Sequence, residues 1–253
     1  MVAHRKGIEQ HEFRISLEKK YSDRFNSIFS KGEVLHGPFR GLKYPQSKSI
    51  GSALFSKLLG SYESELHDVL EKICTQNYSE IINIGCGEGY YAVGLAMRIS
   101  NSKVFAFDMN SEAIQLTREM ANANGVGDRV YTQEKCSSDY LREFAFSGKG
   151  LIVSDCEGYE KQLFRSALTN LKNCDLLIET HDFLDIRISS DLVDLFSETH
   201  TVNVTLSTDD IQKAKRYKFP EADNLSLSDR FFLFQEGRPT LMEWLFFVAK
   251  KNV

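Results

Sequence analysis

The chain has 253 residues, 42% of them hydrophobic and 26% charged, with a net charge of only −4. That is enough for one substantial core in an ordinary globular protein, with no basic surplus to draw in a nucleic acid and no apolar window long enough to span a membrane. The opening residues lack the apolar run of a secretion signal. The five cysteines form no C-x-x-C pair, so reduced thiols and a cytoplasmic setting are expected.

The stretch to about Tyr44 is polar and mixed in charge, and Gly37-Pro38-Phe39-Arg40-Gly41 reads as a turn. Leu54, Leu58, Leu59, Tyr62, Leu66, Val69, Leu70 and Ile73 recur at helical spacing and predict a helix over about 52–75. Strand and helix signals then alternate. Strands are predicted at 81–84, 103–107, 129–133, 151–153, 176–178 and 202–206, with a last one over 241–249 that runs antiparallel at the edge of the sheet. Helices are predicted over 90–99, from an N-cap at Ser111 to Asn124, over 158–171 and over 190–198. This order predicts a mostly parallel, doubly wound α/β sheet of seven strands. Residues 207–238 break the alternation and read as an insertion near the substrate mouth, with a short helix at 229–234.

The strongest local signal is Ile81-Ile82-Asn83-Ile84-Gly85-Cys86-Gly87-Glu88-Gly89-Tyr90. A buried strand enters a loop with glycine at every second position, and a helix follows. Such glycines allow a sharp bend and a close approach of ligand to backbone. The dinucleotide fingerprint wants a further glycine where Tyr90 stands, which weakens a nicotinamide reading. Asp108 ends the second strand and is suited to the two hydroxyls of an adenosine ribose, a device shared by several adenosine cofactors; helix capping is its bland alternative.

With Ala121-Asn122-Ala123-Asn124-Gly125-Val126 and Asp128-Arg129-Val130, these segments resemble motifs I, II and III of class I S-adenosylmethionine-dependent methyltransferases, from about Tyr78 to Glu179. The resemblance implies a Rossmann-like fold with strand order 3-2-1-4-5. It also implies S-adenosylmethionine as cofactor. Gly85, Cys86, Gly87, Glu88 and Gly89 would pass under its methionine part, Asp108 would hold the ribose, and Met109 and Cys136-Ser137 would meet the adenine. Asn83 stands where many relatives carry an acid; Glu88 would supply that charge, or is merely an exposed first-turn residue favoured by the helix dipole. Tyr62 and Glu63 either face the methionine end or pack in the core.

In such sheets ligands sit beyond the carboxyl ends of the strands. The fourth strand ends Ser154-Asp155-Cys156-Glu157-Gly158-Tyr159-Glu160, and the fifth ends Glu179-Thr180-His181. These two segments resemble the D-x-E-G-x-E and E-x-H patterns of FkbM-type methyltransferases, which implies O-methylation of a sugar or small metabolite. A hydroxyl acceptor needs a base or a metal. His181, with an ordinary pKa near neutrality, is the preferred base; Asp155 follows closely and also touches the cofactor, and Glu157 joins the catalytic set. Asp155, Glu179 and His181 form an alternative site for a divalent metal. Each has a structural alternative, as a cap or a satisfied loop residue.

The expected organisation is an N-terminal helical and loop extension over 1–76 covering the active site, followed by a methyltransferase domain over 77–253. A carbohydrate or other small molecule is the expected substrate. A non-catalytic cofactor- or partner-binding module and an RNA methyltransferase are the alternatives, the latter using Lys213, Lys215, Arg216 and Lys218. Trp244 and Phe231–Phe234 suit a homodimer contact as readily as a core.

Overall fold

The computed structural model describes Tyr21 and residues 24–251, so the first part of the expected N-terminal extension lies outside the described residues. In chain order come α1 (Leu54–Leu59), α2 (His67–Cys74), β1 (Glu80–Ile84), α3 (Tyr90–Arg98), β2 (Lys103–Phe107), α4 (Ser111–Ala123) and β3 (Val130–Gln133). They are followed by α5 (Ser138–Glu143), β4 (Gly150–Ser154), α6 (Glu160–Phe164), α7 (Leu168–Leu171), β5 (Asp175–Thr180) and α8 (Ile188–Phe196). The chain ends with β6 (His200–Leu206), α9 (Asp210–Arg216), α10 (Leu227–Phe234) and β7 (Glu243–Ala249).

The seven strands form one sheet in the order β3-β2-β1-β4-β5-β7-β6. The first five places pair in parallel, and the antiparallel pairing falls at one end of the sheet, as expected. There β7 sits one place inside, between β5 and β6, and pairs antiparallel with both. Strands β1, β4 and β5 are buried along their whole length, because helices cover both faces of a parallel sheet. Alternation divides their side chains: Ile81, Leu151, Val153 and Leu177 enter one apolar cluster, and Ile82, Ile152, Leu176 and Ile178 enter the other. Asn83 projects on the Ile81 side.

The periodic leucines expected to make one helix are split between α1 and α2. Gly60 closes α1 in the left-handed region at φ 80, where a Cβ would fall 2.0 Å from the carbonyl oxygen of His36. A chain crossing that close leaves no room for the next helical turn. The predicted 158–171 helix is likewise two short helices, and α5 and α9 arise where none was expected. The cap of α4 is Asn110, whose side chain accepts from the backbone of Glu112.

Residues before β1 pack on the first cluster together with α10. Phe25 meets the ring of Phe55 edge-on at 5.2 Å, and Phe39 lies where a Cβ on Gly94 of α3 would stand. Phe232, Leu233, Phe234 and Trp244 are core residues, so they are not available as a dimer surface. Lys213 is buried as well, paired with Glu236 and Glu65 rather than offered with Lys215 and Arg216 in a basic patch. His200 starts β6 and is buried. Its Nε2 donates to the carbonyl of Cys174, and burial pushes its pKa down. Among the described residues no helix is long and apolar enough to cross a membrane.

Candidate active site

At the carboxyl end of β1 the chain turns through Gly85, Gly87 and Gly89, all at positive φ. Gly85 must lack a side chain: a Cβ there would lie 1.8 Å from the backbone oxygen of Asp155, the residue that leaves β4. Two loops of adjacent strands are thereby pressed together, and the Asp155 amide donates to Ile84 at 2.9 Å. Gly87 faces open space, with the carbonyl of Ile50 3.6 Å from where a Cβ would be. The Gly87 amide donates to Asp108 Oδ2 at 2.9 Å, and the Asn110 amide to Oδ1 at 2.8 Å. Asp108 is thus fixed against the glycine loop.

Two cavities meet over this loop, sharing Ile50, Gly51, Gly85, Gly87, Asp155 and Glu157 as walls. The larger, about 510 Å³, has Ile84, Phe107, Met109 and Cys136 as apolar walls and Asp108 at its side. The smaller, about 140 Å³, is lined by Asn83, Tyr62, Glu179, His181, Phe183 and Arg238. Of the residues singled out from the sequence, Gly85, Cys86, Gly87, Asp108, Met109, Cys136, Asp155, Glu157, Glu179, His181 and Tyr62 line one or both.

Others have different positions. Glu88 is buried away from both cavities: its carboxylate takes Lys57 Nζ at 2.7 Å, the Tyr44 hydroxyl at 3.0 Å and the Ile50 amide at 2.9 Å. The charge expected to face a ligand instead ties residues 44–57 down over the glycine loop. Ser137 caps α5 by accepting from the Tyr140 amide. Glu63, at φ 48, turns its carboxylate to Arg238 and to the Tyr91 hydroxyl.

Arg238 is held by three carboxylates, those of Glu63, Glu179 and Glu236. Glu179 is therefore engaged by a cation and does not complete the metal set expected with Asp155 and His181. Burial, and then the charge of Asp155, push the Glu179 carboxyl well up, against the pull of Arg238.

The side chain that does join Asp155 and His181 is Glu157. His181 Nε2 lies 3.5 Å from Asp155 Oδ1 and 3.4 Å from Glu157 Oε2. Glu157 adopts φ 53, a left-handed conformation rare outside glycine, and so turns back toward the histidine. On the far side of the ring, Nδ1 meets Glu160 Oε1 at 2.6 Å, and Glu160 is fully buried in the first turn of α6. Burial alone would push His181 down, but the carboxylates of Glu157, Glu160 and Asp155 outweigh it and bring it up to about 10. These carboxylates favour the protonated imidazole over the free base expected from the sequence. Burial, and then the charge of Glu157, push Asp155 up against the pull of His181.

Glu160, Arg238 and Lys57 were not singled out as site residues from the sequence. Glu160 lay within the quoted segment Ser154–Glu160 and Arg238 at the end of the 207–238 insertion, but strand alternation gives no rule for residues past a strand end. Lys57 sits on α1, and nothing in its spacing ties it to Glu88.

Residues 75–224 match the family described as Methyltransferase domain. A release factor glutamine methyltransferase from Chlorobaculum tepidum is 36% identical over 50 residues, 20% of this chain and 17% of that protein. A ribosomal protein L11 methyltransferase from Salmonella newport is 37% identical over 54 residues, 21% of this chain and 18% of that one. The matches to these curated relatives therefore span less than a fifth of their length. In three dimensions the chain is similar to a proposed O-methyltransferase from Klebsiella pneumoniae, with a TM-score of 0.50 at 12% identity, covering 76% of this chain and 82% of that one. At that identity the likeness concerns the fold.

Proposed function

The chain belongs to the methyltransferase-domain family, and on that premise we propose that it transfers a methyl group from S-adenosylmethionine to a hydroxyl oxygen of a sugar or other small metabolite. The observation that carries this reading is the position of Asp155, which with Glu157 forms a carboxylate wall common to both cavities and so stands between a cofactor and an acceptor.

The residues present fit the cofactor. Asn83 Oδ1 is buried beside the smaller cavity without a hydrogen-bond partner, a natural acceptor for an α-ammonium group. Gly87 leaves a hollow that a side chain would fill, and Asp108 presents its carboxylate to the larger cavity, where Met109 and Cys136 would flank an adenine. Bound there, S-adenosylmethionine supplies an electrophilic methyl carbon whose bond to sulfur breaks, with the electron pair leaving on sulfur.

The chain's own residues then orient the acceptor, exclude water and take the hydroxyl proton. Alignment of reacting groups accounts for a large share of such rate enhancements. Asp155, with its affinity for protons raised by burial, is our choice of base. His181 and Glu157 position its carboxylate from one side. The carboxylates lining the smaller cavity are acceptors suited to a ligand rich in hydroxyl donors. Residues 44–57, anchored through Glu88, cover the cofactor loop in this reading.

Calorimetric titration with S-adenosylmethionine, followed by labelled methyl transfer to a panel of sugars and nucleotide sugars, tests the proposal. One cofactor per chain is expected, weakened about 10–100-fold by Asp108→Ala through loss of charge-assisted hydrogen bonds, together with a base-stable ether product. Failure to bind the cofactor would sink the reading. A product methylated on nitrogen would remove its hydroxyl part.

A further inference from the structure

We infer that Asp155, Glu157 and His181 form a binding site for one divalent transition-metal ion at the acceptor end of the cleft, a step that rests on the methyl-transfer reading above. The three side chains offer one carboxylate oxygen each from Asp155 and Glu157 and Nε2 from His181, all within 4.8 Å of one another.

Three observations carry it. The first is spacing. Nε2 is 3.5 Å and 3.4 Å from the two oxygens, longer than a good charge-assisted hydrogen bond and equal to the separation of neighbouring ligands around one ion at metal–ligand lengths of roughly 2.1 Å. The second is unmet bonding capacity aimed at the common point. Asp155 Oδ1 is shielded from solvent and accepts no hydrogen bond, and the buried His181 turns Nε2 toward it at 3.5 Å. The third is the support behind the histidine. Glu160, buried in α6 and accepting the Gly158 amide at 3.1 Å, holds Nδ1–H at 2.6 Å. A carboxylate on the far ring nitrogen fixes the tautomer that presents Nε2 to a metal and raises its basicity.

The donor set decides the class of ion. Two carboxylates and one imidazole suit Mn²⁺, Fe²⁺ or Zn²⁺ better than Ca²⁺, which prefers oxygen alone. Glu157 is 79% exposed and Asp155 34%, so the remaining coordination positions open toward the cleft, as a catalytic metal requires. The ion takes the place of the Nε2 proton, which passes to solvent. An acceptor hydroxyl bound to it would be more acidic and would pass its proton to the Asp155 carboxylate. Glu179, the ligand expected from sequence, is excluded because Arg238 occupies its carboxylate.

The test is Mn²⁺ titration of the chelator-treated full chain, read by electron paramagnetic resonance, with S-adenosylmethionine titrated into the same metal-free protein. One Mn²⁺ per chain is expected, weakened at least tenfold by Glu157→Gln and by His181→Gln and unchanged by Asp191→Asn on the outer surface. Glu157→Gln alters an exposed side chain, so its thermal melt separates lost binding from lost folding. Absence of binding at millimolar Mn²⁺, or equal binding in both variants, overturns the site. Cofactor binding without Mn²⁺ binding removes the ion and leaves the methyltransferase reading standing; cofactor failure removes that reading instead.

Discussion

Glu160 Oε1 and His181 Nδ1 stand 2.6 Å apart, both side chains buried, one at the start of α6 and the other just beyond β5. The pair joins the loops after the fourth and fifth strands through one hydrogen bond, and it sets which ring nitrogen faces the cleft. A histidine held this way has a fixed direction and a fixed tautomer.

Replacing Glu160 with Gln should therefore lower turnover about 10–100-fold, in the range seen when the outer partner of a functional histidine is lost. Cofactor affinity should change little, because Glu160 lines neither cavity. Steady-state kinetics with a matched acceptor, alongside calorimetry with S-adenosylmethionine, checks the division. An unchanged kcat would show that the histidine needs no such support.

The glycine loop separates two roles that the sequence motif merges. Gly85→Ala places a methyl group against the Asp155 carbonyl and should unfold the site or the chain, since the obstruction is backbone and cannot rotate away. Gly87→Ala has room, and its positive φ costs roughly 1 kcal/mol. Its thermal melt should stay within several degrees of wild type while cofactor binding falls. Equal destabilisation by the two variants would contradict this assignment.

Arg238 is a buried cation among Glu63, Glu179 and Glu236, and its removal leaves carboxylates without a partner. Arg238→Met should cost about 3–5 kcal/mol near neutral pH. The sign of the pH dependence follows from the carboxyl shifts. Glu63 and Glu179 are already held above their ordinary values, by burial first, and losing the cation raises them further. A folded-state carboxyl pKa above the unfolded one favours the protonated native state, so stability drops as pH rises through that interval. The deficit of the variant should accordingly be smaller at pH 5 than at pH 8 in urea melts. A deficit that grows toward acid pH would show that these carboxyls do not govern it.

Much of the fold could be read from local pattern. The strands β1, β2, β4 and β5 are short, largely apolar runs, and the glycine loop is a contiguous string whose backbone demands are local. The same holds for Asp108, fixed by being the last residue of a strand beside that loop. The breaks were harder to see. The split of α1 from α2 depends on His36 passing over Gly60, a contact between residues 24 positions apart. The place of β7 inside β6 depends on which edge receives a returning chain.

The sequence by itself determined which residues have the chemistry: the acids and the histidine after the fourth and fifth strands and the glycines after the first. Only tertiary structure decided how each is used. Glu88 and Glu179 resemble Glu157 as isolated side chains, yet Lys57 neutralises the first and Arg238 the second, while Glu157 is left facing His181. The physical reason is that a carboxylate's role is set by the charge and solvent around it, and those neighbours come from α1, the loop after α10 and the turn after β4. Pairing of that kind depends on distance in space, which spacing along a chain does not encode.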